Sequence, residues 1–345
     1  MSFSRFIKQM TDANADVGDH DEAEMHDVFA AMLDGGVPDL ELGAMLFALN
    51  VMPDTVSGVV GGYRAVARRV QRLHLSGARY RPLVFASDND TRVSPNLLPW
   101  LAIVLRRLDV PVLVHGSLGG AGVAASAYVF RELGVMPCAT LAGVQVTLET
   151  DSLAFVPHGV LCPGLANLLA LGDRLGLQNF AHKLAALLDP FAGEGVRIVG
   201  VKDRRLREIV EAACCDEALD ALVFDGADDD AFVDPQRRPG IVAIRGGTRT
   251  VLFNSESGTM ARRTNLPDPA DVAATARWIR AALGGEVVIP HPLVNQLACC
   301  LFVSGYAADM SEAKSMATLQ SGAVSPDPET MVASTGVAPC PVSNA

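Results

Sequence analysis

LVFASDNDTRVSPNLLPWLAIVLRRLDVPVLVHG, residues 83–116, decides the fold. Two short apolar runs rich in β-branched residues, Leu83–Ala86 and Val110–Val114, predict strands, and Pro95–Leu108 between them predicts a helix. The alternation continues downstream. Val196–Val201 and Ala221–Phe224 read as further strands, Ala121–Leu133 and Asp203–Ala213 as helices. Such alternation implies an α/β fold with a mostly parallel, helix-covered sheet. Ile241–Ile244 and Thr250–Phe253, split by Arg245-Gly246-Gly247-Thr248, predict a hairpin, and helices resume at Asp271–Leu283, Pro292–Ser304 and Ser311–Gln320.

Upstream of the first strand the pattern is all-helical. Asp21–Asp34 places Met25, Val28, Phe29, Met32 and Leu33 on one face and stops at Gly35-Gly36; Pro38–Asn50 follows, ending before Pro53. Asp54–Leu73 reads as a third helix with Val56, Val59, Val60, Tyr63, Val66, Ala67 and Val70 on one stripe. Arg64, Arg68 and Arg72 fall on the opposite face with Arg69 beside them. No acid lies between Thr55 and Ala86, so partners at i+4 are missing. Either carboxylates from elsewhere, such as the acidic N-terminus, or a polyanion must compensate these charges.

The 345 residues suffice for two domains or one large α/β body. The net charge of -11 is unevenly placed. Residues 1–60 hold two basic side chains against eleven acids, whereas residues 61–131 hold ten arginines against three. Local potential rather than the total steers an anionic ligand. Met1–Asp21 contains no long apolar run, and no stretch is long enough to span a membrane, so a cytoplasmic location without a membrane partner is expected. The seven cysteines show no metal-ligand spacing; Cys214-Cys215 and Cys299-Cys300 read as buried small apolar residues.

Three local motifs invite chemistry. Gly120-Ala121-Gly122-Val123-Ala124-Ala125 matches a dinucleotide fingerprint, but no acid stands about twenty residues on. Asp225-Gly226-Ala227-Asp228-Asp229-Asp230 is a magnesium-competent acidic run or simply an acidic turn after a strand. His115, His158 and His182 are isolated in sequence and read as packed residues. A second basic cluster, Lys202, Arg204, Arg205 and Arg207, opens the helix after Val201, offset by Asp203 and Glu208. It is either a phosphate-binding patch or a solvated surface.

Met32, Gly35, Leu42-Gly43-Ala44 and Leu46-Phe47-Ala48-Leu49, with Asn295, Ala298, Gly305, Ala307, Glu312-Ala313 and Ser321-Gly322-Ala323, resemble anthranilate phosphoribosyltransferase. Val114-His115-Gly116 with Glu132-Leu133-Gly134 fits too, so the resemblance spans roughly 20–323. It implies a nucleoside phosphoribosyltransferase-like architecture of three parts. These are a small helical dimerisation domain over 1–78, completed by helices within about 163–190, and a larger α/β domain over 79–322; the third part, a tail at 323–345 rich in Pro, Ser, Ala and Val, is expected from its composition to be mobile. It also implies a homodimer.

The catalytic motifs depart from that family. Its glycine-rich pyrophosphate loop corresponds to Ala86-Ser87-Asp88-Asn89-Asp90, its KHGNR segment to Val114-His115-Gly116-Ser117-Leu118, and its LGxRT segment to Leu175-Gly176-Leu177-Gln178-Asn179. Its substrate-gripping arginine falls at Gly172, and its magnesium acids at Ala231-Phe232. Ser87, Asp88, Asn89, His115, Gly116, Gln178 and Asn179 are thus expected to form a vestigial pocket.

Phe155-Val156-Pro157, Cys162-Pro163, Asn179–Leu184, Asp189-Pro190-Phe191, Asp234-Pro235-Gln236-Arg237 and Gln296–Leu301 resemble the YbiB branch of this fold. The branch implies a non-catalytic protein that binds single- or double-stranded nucleic acid, DNA or RNA, with little sequence preference and no cofactor. The expected contacts are Arg64, Arg68, Arg69, Arg72, Lys202, Arg204, Arg205 and Arg207. The other function left open is a phosphoribosyl or glycosyl transferase with an altered pyrophosphate or nucleoside substrate, which would use magnesium.

Overall fold

The computed structural model describes residues 3–11, 21–87, 94–119, 124–176, 178–226, 230–256 and 266–321. The helices are α1 (Phe3–Thr11), α2 (Glu22–Leu33), α3 (Asp39–Val51), α4 (Val56–Ala67), α5 (Leu98–Arg107), α6 (Ser126–Glu132), α7 (Leu141–Asp151), α8 (His158–Leu161), α9 (Pro163–Leu175), α10 (Phe180–Ala185), α11 (Arg204–Asp216), α12 (Val272–Leu283), α13 (His291–Val303) and α14 (Met310–Gln320). The strands are β1 (Leu83–Ser87), β2 (Val112–Gly116), β3 (Leu153–Pro157), β4 (Val196–Val201), β5 (Ala221–Asp225), β6 (Ile241–Arg245) and β7 (Thr248–Phe253). They form one sheet ordered β3-β2-β1-β4-β5-β6-β7, parallel through β5 and antiparallel at the β6–β7 hairpin.

Alternation along the strands divides the core. Val84, Leu113, Val156 and Val199 belong to the core shared with α2, α4, α9 and α10, whereas Phe85, Val114, Phe155 and Ile198 belong to the core shared with α5, α12 and α13. Helix starts follow from side-chain caps. Asp21 accepts from the Glu24 N–H at 2.7 Å, Thr55 from Gly58 at 3.1 Å, and Asp203 from Leu206 at 2.7 Å. Helices α2 and α4 meet with almost no side chain between them at Gly61, where a Cβ would lie 2.5 Å from the Glu22 carbonyl oxygen.

Three sequence expectations need correction. Strand β3 was absent from them, although Leu153-Ala154-Phe155-Val156 is an apolar run of strand length. Helix α6 begins at Ser126, not Ala121; residues 120–123 of the dinucleotide-like motif lie outside the described residues. Most consequential, α4 ends at Ala67 rather than Leu73. Beyond it the chain leaves the helix, with the Gln71 N–H donating to Leu161 O at 2.8 Å and that of Leu73 to Pro190 O at 2.9 Å. These longer-range acceptors replace the carbonyls one turn back, and Arg72 therefore leaves the helix face on which its spacing placed it. The tail expected to be mobile lies outside the described residues.

Candidate nucleic-acid interface

The four arginines at the end of α4 occupy different environments. Arg64 is clamped from both sides, donating to Glu22 Oε2 at 2.6 Å and, through Nη2, to Glu217 Oε1 at 2.7 Å. Arg69 makes a two-point contact with Asp34, 2.6 Å from Nε and 2.5 Å from Nη2. That contact holds the Asp34 carboxyl below its ordinary value. Arg68 is exposed, and among the described residues no carboxylate pairs with it, although Asp21, Glu22 and Asp27 line the same surface hollow. Arg72 is also exposed, and it donates to the main-chain carbonyls of Asp189 and Ala67. Of the two ways left open for compensating this face, carboxylates from elsewhere answer Arg64 and Arg69. Glu22 and Asp34 come from the acidic N-terminal segment and Glu217 from the far side of the chain.

At the start of α11, Lys202, Arg204 and Arg205 are exposed. Arg204 meets Glu208 one turn on at 3.1 Å, with both side chains largely in solvent, a contact worth about 0.3–0.5 kcal/mol. Arg207 differs: it points inward to Asp225, while Glu211 lies 3.4 Å from its Nε and itself receives Arg249 at 2.6 Å. This network ties α11 to β5 and β7 and occupies the Arg207 guanidinium with carboxylates.

The expected vestigial pocket sits at the carboxyl ends of the parallel strands, where ligands enter open α/β sheets. Ser87 ends β1 buried, its hydroxyl 2.6 Å from that of Ser126, which also accepts from Asn96 Nδ2 at 2.8 Å. Asp88 and Asn89 lie outside the described residues. Gly116 ends β2 where a Cβ would fall 2.2 Å from Ser87 O. His115 and His158, from neighbouring strand ends, meet with Nδ1 atoms 3.1 Å apart and are almost fully buried. Their meeting was invisible in sequence because 42 residues intervene. Asn179 is buried, capping α10 through the Ala181 N–H at 2.9 Å and donating to Leu168 O at 2.7 Å. With Gln178, His182 and Lys183 it borders a cavity of about 110 Å³ walled by Val199, Val201, Leu206 and Val210. Lys183 is held by Asp54 at 2.5 Å, which reduces its availability to an anion.

The uncharacterized protein YbiB of Escherichia coli (strain K12) is 33% identical over 313 residues, covering 90% of this chain and 97% of that protein. The chain belongs to the YbiB family. It is also 24% identical over 325 residues to the anthranilate phosphoribosyltransferase of Rhodospirillum rubrum, covering 91% of this chain and 92% of the enzyme. Two solved structures share its fold. Anthranilate phosphoribosyltransferase from Thermus thermophilus superposes with a TM-score of 0.74 at 19% identity, over 93% of this chain and 95% of that one. The Saccharomyces cerevisiae enzyme in complex with PRPP and Mg gives 0.68 at 15% identity, over 93% of each chain. No family model matches the sequence. In this YbiB-family chain, Ala231 and Phe232 are buried and bring no side-chain oxygen, and Asp230 Oδ1 accepts the Ala231 N–H at 2.9 Å. The described residues therefore do not fit a magnesium-holding acidic pair; Asp228 and Asp229 lie outside them. None of the described helices is long and apolar enough to cross a membrane.

Proposed function

We propose that this YbiB-family protein is a non-catalytic homodimer that binds nucleic acid with little sequence preference. The reading is carried by exposed guanidinium groups for which the described residues supply no carboxylate: Arg68, Arg72 and Arg205. Lys202 and Arg204 add exposed cationic heads beside Arg205. Helices α4 and α11 pack against each other. The start of α11 lies about 20 Å along its axis from Glu217, which holds Arg64, so one extended polyanion can reach both ends. Phosphate contacts of this kind position a strand without reading bases.

The second copy is placed on the outer face of α3. Leu40, Phe47 and Val51 share that face and are 82%, 58% and 66% exposed, and Gly43 between them leaves open space for close helix approach. A contiguous apolar surface on a helix end of the molecule supports association. Light scattering at micromolar concentration should give twice the chain mass; a 36.3 kDa species alone contradicts the dimer. Fluorescence anisotropy with labelled oligonucleotides of unrelated sequence should give similar affinities across sequences, and absence of binding at low salt contradicts the function.

The cavity at the strand ends favours one second reading, a transferase with an altered substrate, which alone would require magnesium. Incubation with PRPP, magnesium and anthranilate should yield no measurable phosphoribosyl transfer. Turnover that disappears in His115→Ala would overturn the non-catalytic assignment.

A further inference from the structure

Asp34 stands where a carboxylate does little for its own helix. It closes the C-terminal end of α2, where the helix dipole disfavours negative charge. Among the described residues, Arg69 is the cation that meets it, through Nε at 2.6 Å and Nη2 at 2.5 Å. The packing of α2 on α4 does not depend on that pair. Val28, Phe29 and Met32 of α2 and Val59, Val60 and Val66 of α4 are buried in one core. The Asp34 side chain is 59% exposed, and an ion pair in solvent adds little to such packing. Arg69 also differs from Arg64 in how completely it is held. Arg64 has two carboxylates, Glu22 and the less exposed Glu217, and keeps one if the other is lost. Arg69 has Asp34 alone, and its remaining acceptor is the Ala65 carbonyl oxygen at 2.8 Å. Arg68 beside it and Arg72 three residues on are exposed.

We infer that Arg69 is a latent nucleic-acid contact masked by Asp34, an autoinhibitory ion pair by which the fold limits the affinity of this surface. The inference rests on the nucleic-acid reading and adds a residue to it. A phosphate and the Asp34 carboxylate compete for the same two donors, because both present paired oxygens to the guanidinium fork. Asp34 has the advantage of being tethered within reach, which gives it a high effective concentration. Neutralising Asp34 removes the competitor and leaves a third open guanidinium beside Arg68 and Arg72.

The test measures the affinity of a labelled single-stranded oligonucleotide for the parent and four variants over a range of about 50 to 200 mM salt. Asp34→Asn should bind more tightly than the parent, and its plot of log affinity against log salt should steepen by about 0.7, one phosphate contact. Its advantage should shrink about 2.6-fold across that range. Arg69→Gln alone should keep the parent slope, because Arg69 is already masked. Asp34→Asn combined with Arg69→Gln should return to the parent slope and affinity. Glu286→Gln makes the same change in net charge as Asp34→Asn. It alters an exposed acid just beyond α12, which packs on the opposite face of the sheet from α4, and it should leave the slope unchanged. Asp34→Asn with the affinity and slope of the parent overturns the inference and leaves nucleic-acid binding intact. So does a gain that survives Arg69→Gln or is matched by Glu286→Gln, because lost repulsion alone then accounts for it. If the parent does not bind and Asp34→Asn binds in a manner abolished by Arg69→Gln, the masking stands and nucleic-acid binding by the unmodified protein falls. If neither the parent nor any variant binds at low salt, both fall.

Discussion

Residues 64–72 and 202–207 carry arginine at similar density, on or beside two helices that pack against each other, yet their charges are handled differently. At the end of α4, two of four guanidinium groups are locked onto carboxylates that reach in from α2, the turn after it and the end of α11. At the start of α11, Arg204 meets Glu208 one turn on, and only Arg207 is drawn inside, to Asp225 of β5. The difference teaches that an arginine cluster is a binding surface only to the extent that the fold leaves it unanswered. A helix without acids in its own sequence can still be neutralised by its neighbours.

The contrast is sharpest for the arginine most completely consumed. Arg197 sits with only 3% of its side chain exposed, paired with Asp189 and donating to Leu187 O at 2.8 Å. Arg197→Met leaves the buried Asp189 without its cation, held only by the Phe191 and Gly193 N–H groups. Chemical denaturation should show a loss of about 3–5 kcal/mol. A stability within about 1 kcal/mol of the parent would break the distinction between structural and surface arginines.

Next in size is Arg207→Gln, which removes the cation joining Asp225 and Glu211. It should cost about 1–3 kcal/mol of stability and leave nucleic-acid affinity per folded molecule unchanged. A variant that keeps its stability and loses affinity would move Arg207 to the surface class.

Cysteine reactivity gives a smaller-scale check of packing around the same elements. Burial pushes the Cys214 thiol up to about 12 and holds Cys299 and Cys300 well above their ordinary range. Among the described cysteines, Cys138 and Cys215 should react first with a thiol reagent at about pH 8, and Cys214, Cys299 and Cys300 only on unfolding. Rapid labelling of all described cysteines in the folded protein would contradict the buried placement of α11 and α13.

The smallest effect concerns Asp34. Its carboxyl is lowered chiefly by the hydrogen bond from Arg69, so the pair stabilises the fold above the ordinary carboxyl value of 3.8 and loses that contribution as pH falls through the lowered value. Asp34→Asn should be slightly less stable than the parent at neutral pH, with the gap closing in acid. A gap that widens in acid would contradict the lowering of the Asp34 carboxyl by Arg69.

Much of the fold was legible in the sequence because periodicity survives locally. The runs Leu83–Ala86, Val196–Val201 and Ala221–Phe224 became strands, and the capped segments beginning at Asp21 and Asp203 became helices. The length of α4 was not legible, because its end is decided by the carbonyls of Leu161 and Pro190, distant in the chain. The candidate site was legible as residue types and not as charge states. Glu217 lies 153 residues from the Arg64 it neutralises, and nothing in either neighbourhood signals the meeting. The pairing of His115 with His158 is likewise a product of strand order.

That unanswered arginines, not arginines as such, hold nucleic acid is tested most directly by a salt series. The affinity for a single-stranded oligonucleotide is measured for two charge-matched variants. One replaces Arg68, Arg72 and Arg205 with glutamine; the other replaces Arg64, Arg69 and Arg207. The first should weaken binding and flatten the plot of log affinity against log salt by about 0.7 for each phosphate contact removed, roughly two units in all. The second should leave the slope of the folded protein unchanged. A second variant that flattens the slope as much as the first, or a first variant that leaves it intact, would contradict the claim.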